Sequence, residues 1–170
     1  MSLSRKYAAF LILLGLTGCG FTPLYGGETG GDTSTQLGQV AVSNIPERPG
    51  QMLRIALQTK LHADGPPVTE VYALNVYYSV AIADLGVLQD TATTRFQLTG
   101  TAKWTLTPIG DPKHVLASGS ATSMDAGNII DQQYFAVDLE TDTLNQHLAD
   151  TISAEITSEL AAWFHAHPAA

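Results

Sequence analysis

The hydrophobic pattern changes period along the chain, from two in the middle to about four near the end. Tyr72, Leu74, Val76, Tyr78, Val80 and Ile82 alternate with Asn75, Tyr77 and Ser79, the spacing of a strand with one buried face. After Asp90 the alternation sharpens, with Thr94, Phe96, Leu98, Gly100, Ala102, Trp104 and Leu106 in one phase and Thr93, Arg95, Gln97, Thr99, Thr101, Lys103, Thr105 and Thr107 in the other. One face is core and the other polar. Gly100 interrupts the apolar face, where a bulge or a close approach by a helix would require it. Pro108 to Pro112 form a turn cluster, and His114 to Met124 return as a strand of smaller residues. Leu139, Leu144, Leu148, Ile152, Ile156, Leu160 and Phe164 then recur near every four residues, with Asp142, Asp150, Glu155 and Glu159 elsewhere on the cylinder. A helix from about Asp138 to Phe164 would be on the order of 40 Å long.

The preceding segment is quieter. Gln39 to Ile45 alternate weakly and stop at Pro46, which suits a first strand. Pro49 fits the first turn of a helix whose apolar stripe is Met52, Leu53, Ala56, Leu57 and Leu61, ended by Gly65-Pro66-Pro67. Residues 26–35 lack periodicity and aliphatic side chains and read as a flexible tether. The expected fold is α+β in the order β-α-β-β-β-α, with a largely antiparallel four-stranded sheet and two helices packed on one face. It would occupy residues 36–170 as one domain, without internal repeats.

Composition narrows the functional classes. Charged residues are only 14% of the 170, well below the roughly 25% of average proteins, and 19 threonines supply much of the missing polarity. Seven of them fall between Thr91 and Thr107, in keeping with a pleated surface. Eight basic against sixteen acidic residues give a formal charge of −8. Nucleic-acid binding is disfavoured, since it needs a clustered basic footprint.

The N-terminus has the build of an export signal. Arg5 and Lys6 precede the apolar run from Tyr7 to Leu16, too short for a membrane span of about 20 residues. Leu16-Thr17-Gly18-Cys19 resembles the bacterial lipobox, and Cys19 is the sole cysteine. On this reading residues 1–18 are a signal peptide, Cys19 is the acylated mature N-terminus, and residues 19–35 are the tether. Cleavage leaves 152 residues, and the loss of Arg5 and Lys6 takes the formal charge to −10. Several acyl chains at about 0.8 kcal/mol per buried methylene hold such a protein on the membrane without spanning it. Gly20, where inner-membrane lipoproteins often carry Asp, points to the periplasmic side of the outer membrane.

No catalytic constellation emerges. Ala117-Ser118-Gly119-Ser120-Ala121 lacks the Gly-x-Ser-x-Gly elbow. His165 and His167 are two apart and do not share a helical face, and a single cysteine excludes a multi-cysteine metal site. Asp138, Glu140 and Asp142 suit a helix N-terminus facing the macrodipole. Tyr72, Tyr78, Phe96 and Trp104 belong to the core phase, and Tyr77 is the one aromatic left over. The chain is expected to be no enzyme and to need neither metal nor cofactor.

Several segments taken together resemble a known family. They are Cys19-Gly-Phe-Thr-Pro-Leu-Tyr-Gly26, the first helix with Leu53-Arg54 and Leu57, the strand Arg95-Phe-Gln-Leu-Thr-Gly100, and Gln133-Tyr-Phe-Ala136 opening the last helix. The combination is similar to the LPS-assembly lipoprotein family, LptE, in its alphaproteobacterial form. The resemblance implies a plug inside the large β-barrel LptD that helps the barrel assemble and binds lipopolysaccharide (LPS) on its way to the cell surface. A lumen wall is polar, so the Thr-rich strand face, with Thr99 and Thr101 at its centre, becomes the candidate barrel interface. LPS phosphates call for basic groups, and Arg95 and Lys103 lie on that same face, about 27 Å apart. Arg95 is the preferred candidate, with pairing to Asp90 as its structural alternative. A second class stays open: a periplasmic lipoprotein that binds a small molecule or lipid without a barrel partner.

Overall fold

The computed structural model describes residues 30–63, 65, 69–87, 93–128 and 134–167. The export signal, Cys19, Asp90 and residues 26–29 of the expected tether lie outside the described residues. The elements run α1 (Gly30–Gly38), β1 (Val40–Val42), α2 (Arg48–Leu61), β2 (Tyr72–Val87), β3 (Thr93–Pro108), β4 (Ala117–Asn128) and α3 (Tyr134–Ala166). The sheet order is β1-β2-β3-β4. β1 pairs in parallel with the start of β2, across the α2 crossover, and β2, β3 and β4 form an antiparallel meander. The α+β expectation holds, with one parallel pair in a largely antiparallel sheet.

The register shows why the alternation was legible. Leu74 stands opposite Leu106, Val76 opposite Trp104, Ile82 opposite Leu98 and Ala102 opposite Ala121, so the apolar phases of the strands coincide on one face. Helices α2 and α3 cover that face. Leu53, Ala56, Leu57 and Leu61 of α2 and Leu148, Ile152, Ile156, Leu160 and Phe164 of α3 are buried against it. Phe164 also closes edge-on against Tyr72 at 5.1 Å between ring centres.

The small residues of the sheet make room for this packing. A Cβ at Gly100 would lie 2.8 Å from Tyr78 Oη and 3.0 Å from Ile152 Cδ1, so Gly100 marks the close approach of α3 and not a bulge. On β4, Gly119 and Gly127 stand opposite Trp104 and Phe96, whose rings would touch any side chain there at 2.8 Å. Large aromatics of β3 thus lie over the glycines of β4.

Four expectations are corrected. Residues 30–35 are not tether but helix, because Thr33, Gln36 and Leu37 form an i, i+3, i+4 stripe that is buried with α1 packed on α3; two of the three are polar and escape a search for apolar periodicity. Leu139 is 70% exposed, since five residues separate it from Leu144, a rotation of about 140° off the stripe. Asp138, Glu140 and Asp142 lie beyond the first turn of α3, which starts at Tyr134 and holds no acidic residue there. Asp142 pairs with Arg48 at 2.5 Å and Glu140 accepts the Asn128 N–H at 3.0 Å. Lastly, the third strand of the meander begins at Ala117, not His114, and runs on to Asn128 because β3 continues to offer it a partner as far as Arg95.

Candidate functional site

The face of the sheet turned away from the helices is the candidate site. β3 contributes Arg95, Gln97, Thr99, Thr101, Lys103 and Thr105 to it, and no described element packs over them. Cross-strand neighbours are uncharged: Thr99 lies between Ala81 and Met124, and Thr101 between Ser79 and Thr122. Thr99 and Thr101 are half-buried, held on both sides by their neighbours, whereas Arg95 and Lys103 are exposed.

The charge on this face runs against that of the chain. Among the described residues of the sheet, the positions that share the phase of Arg95 include no Asp or Glu, and Arg95 and Lys103 are their only charged members. The acidic side chains Asp84 and Asp125 belong to the opposite phase, where Asp125 is paired with His147 at 3.2 Å. Among the described residues neither Arg95 nor Lys103 forms an ion pair. Among the described residues, a molecule of net −8 therefore turns a face without carboxylates and with two cations outside any ion pair to its surroundings, and nearby unlike charge attracts anions most where competing carboxylates are absent.

Lys103 and Arg95 are placed differently. Lys103 faces Tyr77 across the β2–β3 pair, and together with Ser43, Asn44, Asn75 and Thr105 these two line a depression of about 340 Å³. It opens where β1 stops and β2 continues, so strand length creates it. Asn75 is fixed there by the Ser43 hydroxyl, 2.7 Å from its Oδ1. Tyr77, unassigned by alternation alone, is 72% exposed beside the lysine. Arg95 stands at the far end of β3, opposite Asn128 and Gly86, outside this depression.

The opposite face holds packed aromatics. Trp104 donates its indole N–H to Glu159 at 2.9 Å. Burial raises the Tyr78 phenol to about 12, which keeps it protonated. His167 stacks on Trp163 at 4.6 Å. Among the described residues no group of three His, Cys, Asp or Glu side chains could hold a metal ion, and no helix is long and apolar enough to cross a membrane.

A family description, LptE: Lipopolysaccharide-assembly, matches residues 37–160. That span runs from the last turn of α1 to near the end of α3 and includes the whole sheet. The chain belongs to the LptE family. LptE proteins are lipoproteins without enzymatic activity. Solved structures share the fold. A crystal structure described as that of a lipoprotein from Caulobacter crescentus CB15 superposes with a TM-score of 0.61 at 19% identity, covering 81% of this chain and 98% of that one. The minor lipoprotein from Acinetobacter baumannii gives 0.59 at 16% identity, covering 73% and 91%. Rare lipoprotein B from Shewanella oneidensis gives 0.54 at 12% identity, covering 72% and 92%. No curated protein sequence matches the chain.

Proposed function

We propose that this LptE-family chain is held at the periplasmic side of the outer membrane through an acylated Cys19, plugs the LptD β-barrel, and binds LPS in transit to the cell surface. The observation that carries this reading is the open sheet face: rich in threonine and, among the described residues, free of carboxylates and charged only at Arg95 and Lys103. Hydroxyls can hydrogen-bond to a polar lumen wall without the desolvation cost of many charges. The two cations give phosphorylated headgroups a place to approach an otherwise acidic protein, with Tyr77 beside Lys103 as an apolar ring surface for a sugar. Arg95 can hold a phosphate bidentately, and Lys103 acts as a point charge.

The test has two arms. Photo-crosslinkers at Thr99 and Thr101 should capture the barrel in cells, and failure of both would remove this face from the interface. Soluble protein starting after Cys19 should bind LPS in a salt-dependent way, and Arg95→Ala and Lys103→Ala should each weaken binding with the melting temperature unchanged. Full affinity in the double variant would remove the face from the LPS site.

A further inference from the structure

Among the described residues, strand β2 has a neighbour on its outer side only at its start. β1 pairs with Tyr72, Ala73 and Leu74, and the Ser43 N–H donates to the Leu74 carbonyl at 3.0 Å. Pro46 and Glu47, the latter with φ at 65°, then turn the chain into α2. From Val76 to Ile82 the strand pairs with β3 alone.

Backbone direction along this edge follows from the same bonds. The Tyr72 N–H and the Leu74 carbonyl both point toward β1, so by the two-residue period the N–H and C=O groups of Val76, Tyr78, Val80 and Ile82 point the same way. No backbone group of another described segment bonds to them. Natural sheets guard such edges with lysine, proline or a bulge. From Asn75 to Ala83 there is none of these, the first irregularity in pairing coming after Asp84.

The helix-facing side of this edge is hollow. Tyr78, Val80 and Ile82 line a cavity of about 190 Å³ with Leu98, Pro49 and Asn145. Asn145 is only 8% exposed, yet its Oδ1 has no hydrogen-bond partner, nor has the buried Tyr78 Oη. Ile82 is 67% exposed at the mouth. An added strand in line with β1 would place alternate side chains over this hollow.

Charge selects the occupant. Glu47 lines the cavity, exposed Asp84 follows Ile82 by two positions, and the adjacent cation Arg48 is engaged by Asp142. A second copy of this acidic chain would bring like charge to an acidic rim. We infer that the free edge of β2 receives an extended, basic segment of the partner barrel, which hydrogen-bonds to Val76, Tyr78, Val80 and Ile82 and seats an apolar side chain against Val80, Ile82 and Leu98. Strand addition of this kind draws affinity from the main chain and specificity from pockets for alternate side chains. The inference rests on the barrel reading for the identity of the partner.

The experiment compares Val80→Pro with Val80→Ala in the full-length lipoprotein purified with the barrel from detergent-solubilised outer membranes. Proline deletes the outward N–H, which β3 does not use, while alanine trims the side chain and keeps it. Proline should lower barrel recovery about tenfold or more and alanine less than about twofold, because the backbone carries the contact. In the wild-type complex, amide exchange over residues 75–83 should slow by about a hundredfold relative to the free chain. Unchanged exchange in an intact complex overturns the inference, as does full recovery with Val80→Pro. Should Val80→Pro lower the melting temperature, the wild-type exchange comparison decides. Absence of the barrel from the wild-type preparation would instead refute the barrel reading itself.

Discussion

Gly119→Ala is a small change with a large expected effect. The added Cβ would fall 2.8 Å from both Cε2 and Cζ2 of Trp104 and 2.8 Å from Glu159 Oε2. The indole is rigid and 4% exposed, and its N–H is bonded to that same carboxylate at 2.9 Å. Room can be made only by tilting the ring or displacing Glu159, and either loosens the bond. Alanine recovers about 0.5–1 kcal/mol of backbone entropy over glycine, against about 1–3 kcal/mol for overpacking and about 1.5–3 kcal/mol for a hydrogen bond to a charged group if it is lost entirely. The net expectation is a loss of about 2 kcal/mol, or roughly 4–8 °C in melting temperature for a domain of this size. Urea unfolding of protein starting after Cys19, followed by tryptophan fluorescence, reads both stability and the indole environment. Glu159→Gln keeps an acceptor and should cost less than Gly119→Ala. Wild-type stability and an unchanged emission spectrum for Gly119→Ala would refute the argument that this glycine exists to admit Trp104.

Three further outcomes are expected. Because the phenol of Tyr78 is raised from 10.0 to about 12 by burial, the unfolded chain loses this proton first as pH rises; the contribution is fully present below pH 10.0 and is lost between there and about 12. Tyr78→Phe should flatten stability over that window in parallel urea titrations, and an identical slope in the two proteins would contradict the assignment. Ile152→Ala removes a side chain with no exposed surface at the α3 crossing of Gly100 and should cost about 2–5 kcal/mol in the same unfolding assay, a loss below 1 kcal/mol arguing against tight packing there. Cys19→Ala should move the protein to the soluble fraction, and its recovery with washed membranes stripped of the barrel would count against the lipid anchor.

The fold was readable wherever side-chain chemistry and geometry shared a period. β2, β3 and α3 bury mainly apolar residues at a regular period, so alternation or a four-residue stripe located them to within a few residues. α1 was invisible because its buried stripe is Thr33, Gln36 and Leu37, whose polarity resembles that of a tether. Arg95 and Lys103 were assigned to one face by parity alone, and the register agrees. The absence of carboxylates from that face among the described residues needed the pairing of all three meander strands, since Asp84 and Asp125 could be placed on the other side only once β2 and β4 were aligned with β3. Tyr77 as the neighbour of Lys103 depends on the same register. The free edge of β2 depends on where β1 ends, which the weak alternation from Gln39 to Ile45 did not define.

This LptE-family lipoprotein is proposed to work as one partner of a much larger outer-membrane barrel. The most direct measurement is affinity purification of the full-length tagged chain from outer membranes solubilised in mild detergent, followed by mass analysis of the intact complex. A stable one-to-one complex with an LptD-type barrel that survives size exclusion is expected. Recovery of the chain alone, or with a bound small molecule and no barrel, would contradict it.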